Sequence, residues 1–163
     1  MSFLRWLALV ALTFWIGGLV VLGAIAAPLL FAALQQHDPV GGRELAAATF
    51  GLIFERFQLF AGLAGMFLLI SIGFRAALGP RPRRFGVRMW VAALMLGGCL
   101  FTVLVITPRV RAISTSVSGA VANLPADDPR REAFGRWHGV SSGLMLLTVV
   151  AGLGLLWAET RDE

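Results

Sequence analysis

The chain has 163 residues, 58% hydrophobic and 14% charged, with a mean hydropathy of +0.80. A soluble domain carries roughly a quarter charged residues, so this composition excludes an ordinary water-soluble globule and demands a lipid solvent. The formal charge of +5 does not indicate a nucleic-acid partner, because the fourteen basic residues, all arginine, form short clusters between long apolar runs. One cysteine, Cys99, lies inside an apolar run, so no disulfide framework and no Cys-x-x-Cys spacing exists within the chain. A buried structural thiol is the expectation there.

About 20 apolar residues cross the ~30 Å hydrocarbon layer, and four stretches qualify. The spacing predicts spans at approximately 6–34, 57–78, 87–107 and 137–157. The first follows Met1-Ser2-Phe3-Leu4-Arg5 and imitates a signal peptide. Its uncharged run from Trp6 to Gln36 far exceeds an h-region of roughly 7–15 residues, so a retained helix is expected. That run is too long for a straight perpendicular span and must tilt, bend near Pro28 or continue beyond the bilayer. The first connection holds Asp38-Pro39 and the third holds Asp128-Pro129. Each supplies a carboxylate N-cap before a proline at the first helical position, so helices two and four are expected to begin outside the bilayer. The second connection, Gly79-Pro80-Arg81-Pro82-Arg83-Arg84, is short, stiff and basic, flanked by Arg75 and Arg88. After Pro108, Val110, Ile113, Val117, Val121 and Leu124 recur at roughly helical spacing and predict an amphipathic extension of helix three.

Arginine retention on the cytoplasmic side orients such a chain. Counting over both faces gives a tie, with Arg5, Arg75, Arg81, Arg83, Arg84, Arg88 and Arg161 on one side and seven on the other. The density of the middle connection favours both termini inside, in a bacterial inner membrane. Trp6, Trp90 and Trp157 fall at that same interface and Trp137 at the opposite one, as amphipathic anchors do. Gly17-Gly18 precedes Pro28 by the same interval as Gly97-Gly98 precedes Pro108, which suggests two helical hairpins related by an axis along the membrane normal. The fold class is therefore all-α integral membrane: one domain over 1–163, a four-helix up-down bundle, with helices two to four extending beyond the outer face.

No ionisable residue lies near the middle of any span, which argues against a midplane proton relay or ion pump. The chemistry-bearing residues collect at the outer ends. An up-down bundle brings Glu55, Arg56, Arg109, Arg136 and His138 to one face, with Ser141 a turn deeper. Two readings compete there: arginines snorkelling to headgroup phosphates, or a cavity mouth for an anionic group with His138 as a proton-responsive partner. Gly17, Gly18, Gly139 and Gly143 offer small-residue faces for helix packing, within the chain or along a dimer seam. The two histidines, His37 and His138, occupy different elements, so no metal site and no bis-histidine haem is evident in one chain. Haem or quinone with His138 as ligand or proton donor stays open.

The segments Trp15-Ile16-Gly17-Gly18 with Pro28, Phe54-Glu55-Arg56-Phe57, Pro108-Arg109-Val110-Arg111 and Phe134-Gly135-Arg136-Trp137-His138-Gly139-Val140-Ser141 occur in order across almost the whole chain. Together they resemble the transmembrane protein 205-like family, in bacteria the domain of unknown function 4149. The resemblance implies a small four-helix membrane protein without an assigned chemistry; eukaryotic members are associated with platinum-drug resistance and vesicle traffic. This chain departs from the family by Trp137 between Arg136 and His138, and by Gly143-Leu144 where an asparagine is expected after Ser141. The Trp-x-Gly-Gly opening is also similar to copper-resistance membrane proteins of the D type, but the histidines for copper are missing. The expected partners are the bilayer, a small lipophilic ligand, and a second copy or a larger membrane complex, with no nucleic acid. The leading functional expectation is a non-enzymatic protein binding a small ligand, lipid or lipophilic solute near the outer face. A haem- or quinone-linked oxidoreductase and a structural accessory subunit are the alternatives.

Overall fold

The computed structural model describes residues 2–78 and 84–161; the basic connection at 79–83 lies outside them. Among the described residues every regular element is helical. They are α1 (Ser2–Val21), a π-helical segment (Leu22–Ala26), α2 (Ala27–His37), α3 (Gly42–Leu78), α4 (Phe85–Phe101), a second π-helical segment (Thr102–Ile106), α5 (Thr107–Thr115), a 3₁₀ turn (Val121–Asn123) and α6 (Pro129–Thr160). The continuous helical runs Phe3–His37, Gly42–Leu78, Phe85–Thr115 and Pro129–Thr160 are each long and apolar enough to cross a membrane. This is an integral membrane protein with four candidate transmembrane helices.

The long first run does not break at Pro28. A proline lacks the N–H of the i→i−4 ladder, and its ring crowds the carbonyl four residues back. The chain relieves this by widening one turn ahead of the ring, so that the Ala27 N–H bonds to Leu22 O, five residues back. The third run does the same ahead of Pro108, with the Thr107 N–H on Thr102 O. The two π segments stand eighty residues apart, as do their prolines. Phe54-Glu55-Arg56-Phe57-Gln58 and Phe134-Gly135-Arg136-Trp137-His138 are separated by the same interval.

Two local expectations change. Asp128 caps α6 as anticipated, accepting from the Arg130 backbone N–H at 2.8 Å with Pro129 at the first helical position. Its carboxyl is held below the usual carboxylate range by the Arg130 side chain and then by that backbone N–H. Asp38, by contrast, ends α2 and caps a turn, accepting from Val40 N and Gly41 N at 3.0 Å each, so α3 starts only at Gly42. The reason is steric: a Cβ at Gly42 would lie 2.1 Å from Leu34 O, so the two helices meet backbone to backbone at this corner. The extension of helix three stops at Thr115 rather than running on to Leu124. The Thr115 and Ser116 hydroxyls take the carbonyls of Arg111, Ala112 and Ile113, and Gly119 turns with a φ of +99°. Val117, Val121 and Leu124 still face inward, from a loop whose carbonyls at Ser116 and Leu124 accept from Arg130 and Arg131.

The interior is built from Ala8, Leu12, Trp15, Ile16 and Leu19 of α1, Ala61, Leu68 and Ile72 of α3, Ala92, Met95 and Cys99 of α4, and Leu155 of α6. α1 packs against α3 and α6, and α4 packs against the same two. Lipid gives apolar side chains no reason to prefer the interior, so close fit decides the association. That fit is made by glycine. A Cβ at Gly65 would lie 2.8 Å from the Trp15 ring, one at Gly152 2.6 Å from Ile16, and one at Gly18 2.2 Å from the Phe57 ring. Gly17, Gly139 and Gly143 meet nothing within 4 Å, so the Gly139/Gly143 pair makes no close approach inside the chain.

At one end of the molecule the four helices are joined by charge. Glu159, 2% exposed in the last turn of α6, accepts from Arg75 of α3 at 2.8 Å and from Arg88 of α4 at 3.0 Å. Arg88 also donates to Ala158 O at 2.9 Å, and Arg5 of α1 donates to Glu159 O. The last carbonyls of a helix lack intrahelical donors and carry the negative end of its dipole. The guanidinium groups therefore satisfy both the carboxylate and the helix terminus. At the opposite end the corresponding contact is exposed, Arg111 to Glu55 at 2.7 Å.

Two measurements check this account. Glu159→Gln removes the carboxylate that buried Arg75 and Arg88 share, and breaking a buried pair costs about 3–5 kcal/mol; its thermal midpoint in detergent falls well below that of Glu55→Gln, which loses only an exposed pair. Gly152→Ala overpacks the Ile16 contact and loses about 1–3 kcal/mol, whereas Gly143→Ala melts with the unmodified protein.

Candidate functional site

Glu55 is half-buried on α3 and bonds to Arg111 rather than to another residue of the expected outer group. Arg56 and Arg136 are exposed and have no ion-pair or hydrogen-bond partner among the described residues. Arg109 lies over the Trp137 ring, 4.4 Å from its centroid, where the aromatic face attracts the cation. His138 is exposed and stacked on Phe134 one turn earlier, with ring centroids 5.9 Å apart. These contacts tie α5 to α3 and to α6 as two separate pairs. Ser141 is half-buried and turns toward the interior.

There it joins a small cavity bounded by every one of the four helical runs. The wall is Trp15 and Leu19 from α1, Gln58 from α3, Gly98 and Cys99 from α4 with Thr102 of the second π segment, and Ser141, Leu144, Met145 and Thr148 from α6. Its volume is about 10 Å³, room for one water-sized group. The arrangement is unusual for the middle of an apolar assembly, because one side is aromatic and aliphatic while the other is amide, thiol and hydroxyl. Gln58 is 6% exposed and Cys99 5%. The Cys99 thiol lies 3.4 Å from both Gln58 Oε1 and Gln58 O, linking α4 to α3. Thr102 Oγ1 donates to Gly98 O at 2.9 Å and Thr148 Oγ1 donates to Leu144 O at 2.8 Å, each back into its own helix.

Three buried polar residues carried a signal in the sequence that periodicity does not reveal. Gln58 is an amide at the start of an otherwise apolar span. Glu159 places a carboxylate in a final helical turn, where the dipole disfavours it unless cations face it. Thr102 sits six residues before Pro108, where a widened turn leaves its carbonyl to bond the Thr107 N–H and hydroxyl. Among the described residues no group of three or more His, Cys, Asp or Glu stands close enough to hold a metal ion.

The sequence matches the family model described as Domain of unknown function (DUF4149) over residues 10–118. That interval runs from α1 past the end of α5 and includes both π segments, Gln58 and Cys99. Neither the curated proteins nor the solved structures gave a match.

Cys99 supplies its own probe of the cavity. With the thiol 5% exposed behind Trp15 and Gln58, a bulky maleimide leaves it unmodified in detergent, while a cysteine introduced at exposed Ser118 labels fully. Mass spectrometry of the labelled protein checks this; rapid labelling of Cys99 contradicts the closed wall.

Proposed function

We propose, from the premise that the chain belongs to the family described as Domain of unknown function (DUF4149), that it is a non-enzymatic membrane protein which binds a lipophilic solute or lipid between its helices. The observation that carries this reading is the small notch to which all four helical runs contribute, whose wall combines an aromatic face with hydrogen-bonding side chains and whose size seats one polar atom of a ligand rather than the ligand itself. Ligand sites are mostly apolar concavities with a few placed polar groups, and bundle interiors are where helical membrane proteins build them.

The architecture we infer is a single up-down four-helix bundle over 1–163, made of two hairpins related by a pseudo-twofold axis. The meeting of Arg5, Arg75, Arg88 and Glu159 supports the antiparallel alternation, since these residues open helices one and three and close helices two and four. The two π segments and their prolines at equal spacing support the repeat. Interrupted helices at matching positions of two halves are a pointer to a binding site in membrane proteins. Arginine density in the middle connection favours cytoplasmic termini in a bacterial inner membrane. The opposite face then holds the parts of helices two to four that exceed the bilayer. In this arrangement Glu55, Arg56, Arg109, Arg136 and His138 stand at the outer face, where exposed arginines meet headgroup phosphates, and Ser141 alone of the expected group belongs to the cavity wall.

A second reading rests on Gly139 and Gly143, which leave a smooth outward strip on α6. A strip of this kind accepts a partner helix, as an accessory subunit or homo-oligomer requires.

Purification in mild detergent separates the two. Organic extraction followed by mass spectrometry is expected to yield one lipophilic compound at near-stoichiometric amount, absent from an unrelated four-helix control. A partner protein at fixed stoichiometry with no enriched compound overturns the ligand reading in favour of the accessory one.

A further inference from the structure

The two ends of the molecule hold equal numbers of arginines but unequal charge. Arg5 near the start of α1, Arg75 near the end of α3, Arg88 near the start of α4 and Glu159 near the end of α6 meet at one of them. Arg81, Arg83, Arg84 and Arg161 neighbour these in sequence, so seven arginines there face three acids, Glu159, Asp162 and Glu163. With every acid paired one to one, four of those seven guanidiniums are still left over. The other seven arginines face six acids, Asp38, Glu44, Glu55, Asp127, Asp128 and Glu132, which leaves one. Nearly all of the formal charge of +5 therefore belongs to the end built on Glu159.

The structure also shows which of these arginines an external anion meets. Arg75 and Arg88 are buried and committed to Glu159. Arg84 immediately precedes α4 and is exposed, with no ion pair among the described residues. Arg161 follows α6, is exposed, and lies over the Trp157 ring, 4.1 Å from its centroid. A guanidinium stacked on an aromatic face keeps its N–H edge free, and that planar fork matches a phosphate bidentately. Trp6, Trp90 and Trp157 are exposed in the same turns as Arg5, Arg88 and Glu159. Exposed tryptophans at the ends of membrane helices sit at headgroup level, so the surplus guanidiniums stand among lipid phosphates. A zwitterionic headgroup brings an ammonium beside its phosphate, which the surplus repels. An anionic headgroup brings none.

We propose that the end built on Glu159 selectively binds anionic phospholipid headgroups of the leaflet it faces, with Arg84 and Arg161 as exposed phosphate-binding residues and Trp157 beside them. This surface is separate from the cavity and acts whether or not a solute occupies it. The opposite end, where six acids offset seven arginines, takes anionic and zwitterionic headgroups alike. The protein is thus asymmetric toward lipid: one leaflet contact selects by charge and the other does not.

Fluorescence quenching by brominated lipids reads the two ends separately in vesicles. In the full chain carrying Trp137→Phe, the exposed reporters are Trp6, Trp90 and Trp157. In a second protein those three are replaced by Phe and Trp137 reports, with buried Trp15 a common background. Each is titrated with brominated phosphatidylglycerol and with brominated phosphatidylcholine of the same chains. One basic residue at an anionic surface is worth a factor of about five, so the first protein is expected to prefer phosphatidylglycerol by at least that factor. Trp137 in the second shows no such preference. Arg84→Gln combined with Arg161→Gln, both at exposed positions where folding is not at risk, lowers the preference several-fold. Inorganic phosphate, compared with chloride at equal ionic strength, leaves it unchanged. Equal quenching by the two lipids, the same preference at both ends, or a preference unaltered in the double variant overturns the proposal. Loss of the preference to inorganic phosphate but not to chloride also overturns it, in favour of a site for free anions.

Discussion

A single carboxylate at the end of the fourth helix faces guanidinium groups from the other helices, and the placement of the whole assembly depends on it. Within hydrocarbon the usual driving force for burying apolar faces is absent, because a lipid tail is as good a neighbour as a leucine. What remains is shape fit and polar contact. Glu159 with Arg75 and Arg88 supplies a polar contact that none of the helices satisfies alone, and its cost if broken is large because the partners are already desolvated. The geometry also uses the helix terminus itself: Arg88 and Arg5 reach the Ala158 and Glu159 carbonyls, which an isolated helix leaves without donors. All four helical runs meet at this one locus.

The opposite half of the molecule is held differently. Its ion pair is exposed, its cation–π contact is worth about 0.5–1 kcal/mol at an exposed site, and both odd-numbered runs are loosened there by a turn of π geometry ahead of proline. The cavity lies between these two regimes. One of its walls is the first residue of a π segment, and another is the Trp15 ring pressed against Gly65. The cavity thus has a buried charge cluster toward one end and irregular helical backbone toward the other. π turns recur at functional positions for this reason: a widened turn redirects side chains and frees a carbonyl without breaking the helix.

Much of this was legible in the residues. Composition and run length determined a membrane protein of four spans, since backbone polar groups in lipid must bond within a helix and about 20 apolar residues suffice to cross. Pro28 announced irregularity in the first run, and Asp128-Pro129 marked the start of the fourth helix. The family could be read from short segments, of which those around Gly17-Gly18, Glu55-Arg56 and Pro108-Arg109 lie inside the matched interval. Asp38-Pro39, identical in pattern to Asp128-Pro129, became a turn rather than a cap because Gly42 must meet the Leu34 backbone. That contact is tertiary, and no local rule contains it.

Which residues face inward was decided only by the assembled structure. A helix in water displays its buried face as an apolar stripe, but a helix in lipid is apolar on all sides, so periodicity carries no information about packing. Gly65 and Gly152 pack while Gly139 and Gly143 do not, although the second pair has the better-known spacing. Arg75 and Arg88 look in sequence like ordinary interface arginines, yet they are buried against Glu159. Gln58 and Cys99, far apart in the chain and unremarked by any motif, meet at one wall. By itself the sequence determined that there are four segments long and apolar enough to cross a membrane, because length and hydropathy are properties of each segment alone. Only the tertiary structure decided their faces, because in lipid the choice rests on close fit and on pairing between distant polar groups.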